Sequence, residues 1–552
     1  MFTRLKILRL SIVESFGYWR KRVHRDVTLP AASILNAPLS FLRFMFLKFT
    51  SKLQVFPLLA FFIPLAVRVI PEVLVGPFIV GFDTLGYYVP NVLTWLRGGV
   101  DFWGFVAVAP FFYVILMGVT VVGVPIVLSL KVLPPLLLGF LGLAVYFYAK
   151  KGLSWSPKKS LLVALVATLY FVALRISWDM LRSELALIFL FAALIFLAKG
   201  GSSFRSGVLL SLAMLSVVFA HQLVAVVMFF IVLVTVVRLG FDGKMVDVRR
   251  LVVSSVPAGL LFLVIVYANY FVSSSFSVLN GFPAQGSAGF MALFGFASFS
   301  DMLANTLGFL VFCYLPLLPL VVLGVRRFGS NLQMKAWVVW VFIALFSAVI
   351  SPNAFVAALP YRWVLLLSFP LAFYAAEALT HFRLSIYRIA VGLMLATLSL
   401  GFLVLPNGNP FPYFTLFPYY VPTSALQNTV SSSDCQDTVN ALHWLRSNMH
   451  GGARLLVHDV FYGWSLLTLN RNQVISYGYG DPEKVAEETV RNGSVYRLYL
   501  IWWTNGNGWH GQPVASSVFE EVYESGRIAV YTYDSSVYHN ASASEDLRSI
   551  KS

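Results

Sequence analysis

The chain of 552 residues is 59% hydrophobic and 12% charged, with a mean hydropathy of +0.79, a composition that excludes an ordinary soluble domain and places it among polytopic membrane proteins. The net charge of +16 does not point to nucleic acid: residues 406–552 hold 9 Lys and Arg against 13 Asp and Glu, leaving 31 of the 40 bases and 11 of the 24 acids to residues 1–405. The basic excess therefore belongs to membrane-flanking loops, and two cysteines, Cys313 in an apolar run and Cys435 in the polar tail, give neither a disulfide framework nor a Cys/His metal spacing.

Residues 1–54 form a basic segment with Arg4, Lys6, Arg9, Arg20, Lys21, Arg22 and Arg25, too long and too charged to read as a cleaved signal. Residues 55–405 follow as the transmembrane part, with spans predicted at 55–75, 124–148, 160–174, 183–198, 206–220, 222–238, 251–272, 303–324, 335–351, 361–379 and 386–405, about eleven in all. Starting from a cytoplasmic N-terminus, this threading puts Lys150/Lys151/Lys158/Lys159, Lys199/Arg205, Arg238/Lys244/Arg249/Arg250, Arg326/Arg327/Lys335 and His381/Arg383/Arg388 inside. The loop 273–302 falls outside and carries no Lys or Arg.

The first exterior loop is 76–123. Within it the apolar stretch 104–122 is predicted as a juxtamembrane or re-entrant helix, because a crossing there would invert every later loop. Residues 406–552 change to polar, turn-rich sequence with strand-like runs at 454–458 and 495–501, predicting a small exterior α/β domain. Two sequons, at Asn492 and Asn540, fall in it.

Ionisable residues on the exterior side gather at span ends: Asp83, Arg97, Asp101, Arg175, Asp179, Arg182, Glu184, His221, Asp301 and Arg362. Charge at membrane depth is costly, so such a gathering suggests a site. Asp83 lies in Gly81-Phe82-Asp83-Thr84-Leu85-Gly86-Tyr87-Tyr88; on a helix it shares a face with Tyr87 at i,i+4, with Tyr88 beside them. The plainer reading of Asp83 is a helix N-cap. Arg175 and Asp179 either pair with each other in an exterior turn or, with Arg182, grip a phosphate. His221 breaks the apolar run from Val208 to Val237 as a polar turn or a ligand-facing group, and Arg362, opening a span after Pro360-Tyr361, either snorkels to headgroups or contacts phosphate.

In pattern, the chain resembles the GT-C superfamily of membrane glycosyltransferases, which includes protein O-mannosyltransferases, aminoarabinose transferases and oligosaccharyltransferase catalytic subunits. The features that carry the resemblance are Asp83 followed by Tyr87 and Tyr88, Ala109-Pro110-Phe111-Phe112-Tyr113, Leu130-Lys131-Val132-Leu133-Pro134-Pro135-Leu136 before Lys150-Lys151, Arg175 with Asp179, the break at His221, and Tyr361-Arg362-Trp363. It implies an α-helical polytopic GT-C-like fold with a sugar donor on polyprenyl or dolichyl phosphate and an exterior lipid, glycan or protein acceptor. It gives Asp83 the role of general base, or of ligand to Mg²⁺ or Mn²⁺, and makes Tyr87, Tyr88, Arg175, Asp179, Arg182, His221 and Arg362 substrate-binding residues. A metal needs further oxygen ligands from Asp101, Asp179 or Glu184. His458-Asp459-Val460-Phe461-Tyr462-Gly463-Trp464 is similar in layout to the Trp-Trp-Asp-Tyr-Gly segment of oligosaccharyltransferases, with Val457-His458 in place of the tryptophans.

The expected function is transfer of one sugar from a lipid phosphate in a multi-pass cell-membrane protein. Two alternatives remain: transfer of a whole lipid-linked glycan to protein, and a lipid or solute transporter, for which no internal repeat is seen. A membrane scaffold is a further one.

Overall fold

A computed structural model describes residues 55–198, 203–272, 298–328, 331–350, 360–381, 385–406, 412–415, 424–478, 480–491, 497–504 and 518–533. Both sequons and most of the 273–302 loop lie outside them. The chain divides after Leu58 into two compact units, and of the first only residues 55–58 are described.

The protein is α-helical and multi-pass. Among the described residues seven helices are long and apolar enough to cross a bilayer: Val55–Leu74, Ile126–Gly152, Leu181–Ala198, Gln222–Phe241, Met245–Tyr267, Tyr361–His381 and Ile386–Val404. Two bent pairs raise this to nine: Pro157–Leu169 with Phe171–Asp179, bent by 59°, and Phe299–Tyr314 with Leu318–Phe328, bent by 77°. The expected eleven also counted Phe204–Ala220 and the helix from Leu332, which are shorter. Periodicity did not reveal the two bends, since both legs of each pair are apolar. One consequence corrects the sequence reading: Arg175 and Asp179 lie on a helical leg, Phe171–Asp179, and the turn follows at Met180.

The bends and the other helix breaks leave backbone carbonyls unpaired in an apolar setting, which is tolerated only where protein groups satisfy them. Tyrosines do so. Tyr170, at the first bend, donates to the Cys313 carbonyl at 2.5 Å, and Tyr314 donates to the Leu365 carbonyl at 3.3 Å. His221 sits between Phe204–Ala220 and Gln222–Phe241, the predicted break.

The stretch 104–122 forms two short helices, Phe102–Ala107 and Phe111–Val121. Eleven residues rise only about 16 Å, half of a hydrocarbon core of about 30 Å. Val121 and Val122, at its end, are exposed.

The C-terminal part holds a five-stranded sheet, β1 (Arg454–His458), β2 (Val474–Gly478), β3 (Leu498–Trp503), β4 (Phe519–Ser525) and β5 (Ile528–Tyr533), in the order β2-β1-β3-β5-β4. β1 runs parallel to β2 and β3, and β5 is antiparallel to β3 and β4. The helices Asp459–Thr468 and Pro482–Arg491 make the two crossovers that parallel pairing requires. β3 is buried along its whole length, as expected of a central strand covered on both faces.

This sheet domain sits on the first loop. Gly81 N–H donates to the Gln427 carbonyl at 3.0 Å, Asn428 Nδ2 to Ile79 at 2.9 Å and Trp178 Nε1 to Gln427 at 2.9 Å. Arg97 Nη1 caps the far end of Asp459–Thr468, donating to the carbonyls of Leu466 (3.1 Å) and Leu469 (3.3 Å). The first loop and the C-terminal segment therefore share one side, which requires an even number of crossings between them. Counts of seven, nine or eleven spans all satisfy this; a further crossing at 104–122 would not.

Candidate active site

The first loop enters the site at Gly81, whose φ of +99° no β-carbon would favour; a Cβ there would also stand 2.4 Å from the Trp178 carbonyl oxygen. The chain then turns helical at Phe82 and Asp83, widens into a π-helical turn over Thr84–Tyr88, and continues as the helix Val89–Gly98. Pro90 lacks an N–H and would crowd the carbonyl four residues back, and the wider turn before it, closed by Val89 N–H on the Thr84 carbonyl, relieves this. Asp83 has helical dihedrals (φ −61°, ψ −23°), and its side chain makes no capping hydrogen bond. The N-cap reading thus falls, and the half-buried carboxyl is left for other work.

The backbone N–H of Asp83 donates to Asp179 Oδ1, joining the two acids' segments. Arg175, one turn before Asp179, stands 3.2 Å from Asp179 Oδ2 and 4.5 Å from the centre of the Trp178 ring. Its Nη1 is at ion-pair distance but not aligned to donate, so this buried atom has no hydrogen-bond partner. Tyr88 is buried, its hydroxyl donating to the Asp179 carbonyl at 3.2 Å, while Tyr87 is 38% exposed. The two tyrosines thus point differently: Tyr88 inward, Tyr87 outward.

Arg182 opens the next helix. Its Nη2 donates to the Val108 carbonyl, its guanidinium faces the Tyr113 ring at 5.6 Å, and its buried Nε has no partner. Tyr113 is fixed by Asn91 Nδ2 at 3.1 Å and packs against Tyr88 at 5.8 Å and Trp95 at 5.1 Å. Arg362, at the start of Pro360–Leu366, acts electrostatically on Asp83 without an ion pair between them. His221 Nε2 lies 3.2 Å from Ser183 Oγ, and its Nδ1 is buried without a partner. His221 is thus linked to Ser183, the residue after Arg182.

Burial pushes the Asp83 carboxyl up, and the Asp179 carboxylate pushes it further, to about 7, against Arg362, Arg175 and Arg182, which pull it down. Burial likewise raises the Tyr88 phenol, which stays neutral. Two carboxylates and three guanidiniums leave the ionised site at +1. No three His, Cys, Asp or Glu side chains converge among the described residues. Of the acids weighed as metal co-ligands, Asp179 stands beside Asp83, whereas Asp101 caps Phe102–Ala107 by accepting from Gly104 N–H at 2.9 Å, and Glu184 is buried within its span.

With this geometry in view, similar folds can be named. The chain is similar to ArnT from Cupriavidus metallidurans bound to undecaprenyl phosphate, at 14% identity over 87% of this chain and 98% of that one, with a TM-score of 0.48. It is also similar to the archaeal oligosaccharyltransferase AglB from Archaeoglobus fulgidus in complex with an inhibitory peptide and a dolichol-phosphate, at 12% identity over 79% of this chain and 69% of that one, with a TM-score of 0.42. No protein-family model and no curated protein matches the chain.

Sequence reasoning passed over Arg68 and Glu72, which are buried in the first span at 1% and 5% exposure and bonded to each other at 2.8 Å. Their signal was present: opposite charges four residues apart in an otherwise apolar span.

Proposed function

We propose that the protein is a membrane glycosyltransferase that moves a sugar from a polyprenyl- or dolichyl-phosphate donor to a hydroxyl on an exterior acceptor. One observation carries the reading: Asp83, a half-buried carboxyl raised to about 7, stands among Arg362, Arg175 and Arg182. A base of that strength suits neutral pH, and guanidiniums suit a departing phosphate.

In the proposed reaction Asp83 takes the acceptor hydroxyl proton as the acceptor oxygen bonds to the anomeric carbon. The bond from that carbon to the phosphate oxygen breaks, and the lipid phosphate leaves with the electron pair, its charge held by Arg362, Arg182 and Arg175. Tyr88 and Tyr113 wall the site, and Tyr87, on the exposed side, faces the acceptor. Asp83 as ligand to Mg²⁺ or Mn²⁺ would use Asp179 as the second carboxylate, with the remaining positions filled by substrate and water. The N-terminus is assigned to the cytoplasm and the site, with residues 406–552, to the exterior.

A second reading, transfer of a whole lipid-linked glycan to protein, draws on the packing of Asp459–Thr468 against the first loop. Membranes containing wild type or Asp83→Asn, given radiolabelled polyprenyl-phosphate sugars or lipid-linked oligosaccharides, test both. Transfer by wild type alone supports the assignment, and the donor used separates the readings. Equal transfer by Asp83→Asn removes Asp83 from the chemistry.

A further inference from the structure

Three charged residues outside the site connect to the segments that lead into both of its acids. Arg68 Nη1 donates to Glu72 Oε1 at 2.8 Å, and Arg68 Nε donates to the carbonyl of Ser177, two residues before Asp179, at 3.3 Å. Lys131, in the second span, donates to Glu72 Oε2 at 3.4 Å, to the Glu72 carbonyl at 2.9 Å and to the carbonyl of Phe78, five residues before Asp83, at 2.7 Å. A cation that merely capped the first helix, which ends at Leu74, would need the Glu72 carbonyl alone. Phe78 lies beyond that end, on the strand of chain entering the site. Stability gives little reason for ions here, because buried pairs can often be replaced by apolar residues without loss.

We infer that Arg68, Glu72 and Lys131 form a buried positioning brace that fixes the segment leading into Asp83 against the segment leading into Asp179. Glu72 is the common node: Lys131 reaches from it to Phe78, and Arg68 reaches from it to Ser177. The two held carbonyls flank the contact in which Asp83 N–H meets Asp179 Oδ1. The brace is a statement about geometry, and its effect on catalysis rests on the transferase reading.

The test is Lys131→Met in the full-length protein, read by hydrogen exchange and by transfer kinetics. Exchange should speed up at least about tenfold in peptides covering 78–88 and 171–182, while β1 and β3 keep their protection. The kcat should fall by about 10- to 100-fold, the scale of a misplacement near 1 Å, with the donor KM within about threefold, and Lys131→Arg, which keeps the donors, should restore most of the rate. Glu72→Gln, which keeps the shape, should give the same exchange pattern and serves if Lys131→Met does not fold. Unchanged exchange in both segments overturns the brace, as does faster exchange with an unaltered kcat. If wild type transfers nothing from any donor, the transferase reading fails while the exchange data still decide the brace.

Discussion

Replacing Gly463 with alanine probes how closely the exterior domain is tied to the candidate site. Gly463 lies on Asp459–Thr468 where that helix meets the π-helical turn of the first loop, and a Cβ there would stand 1.9 Å from the Leu85 carbonyl oxygen and 2.8 Å from its carbon. Both are backbone atoms, so no side chain can swing aside. Restoring ordinary contact near 3.5 Å requires the two elements to part by roughly 1.5 Å, at a cost of about 1–3 kcal/mol. Leu85 is two residues from Asp83, so the displacement reaches the site, where a 1 Å error can cost about 10²-fold in rate. Gly324→Ala is the matched control: its Cβ would meet the Tyr374 oxygen at the same 1.9 Å, on the helix that carries Arg326 and Arg327. Thermal unfolding in detergent and transfer by the same preparations should show both variants destabilised and only Gly463→Ala strongly slowed. A Gly463→Ala protein as stable and as active as wild type would refute the close crossing.

Other outcomes follow from the site itself. Asp83→Asn should lower transfer by about 10²–10⁴-fold with no drop in melting, because the side chain caps no helix; a large drop in melting would return Asp83 to a structural role. The raised carboxyl also makes stability depend on pH. Its folded value of about 7 lies above the ordinary 3.8, so the folded state binds the extra proton between them. This contribution is fully present below about pH 4 and is lost as pH rises through 7; comparing wild type with Asp83→Asn by denaturation across that window should show the steeper fall in wild type. Arg362→Gln should weaken donor binding by about 10- to 100-fold, the scale of a lost charge-assisted contact, visible as a raised KM for the lipid phosphate.

Most of the spanning helices were legible because apolar runs are a one-dimensional signal. β1 was predicted at its observed bounds for a similar reason: Arg454-Leu455-Leu456-Val457-His458 is a short β-prone run between turn residues. The bend at Tyr170 was not legible. Nothing in the apolar run distinguishes a straight span from two legs whose freed carbonyls are satisfied by groups distant in sequence. The gathering of Asp83, Asp179, Arg175 and Arg182 was foreseeable only as residues on one side of the membrane. Their contacts depend on a backbone N–H of Asp83 meeting a side chain 96 residues away, which no local pattern encodes. The N-cap reading of Asp83 failed because the helix begins one residue earlier, at Phe82, and widens immediately after.

The charges around Asp83 make the donor part of the base. In the free protein Arg362, Arg175 and Arg182 oppose the rise caused by burial and by Asp179. A bound phosphodiester brings one negative charge against those guanidiniums and offsets their pull, while covering the carboxyl from water. Both effects favour the protonated form of Asp83, so the donor complex should hold a stronger base than the free protein. The pH dependence of kcat/KM reports the free protein and that of kcat reports the complex. The rising limb of kcat should therefore lie at higher pH than that of kcat/KM, and the latter should fall near 7. Coincident limbs would mean that the phosphate binds away from these arginines, leaving Asp83 as the base but returning Arg362 to a headgroup contact.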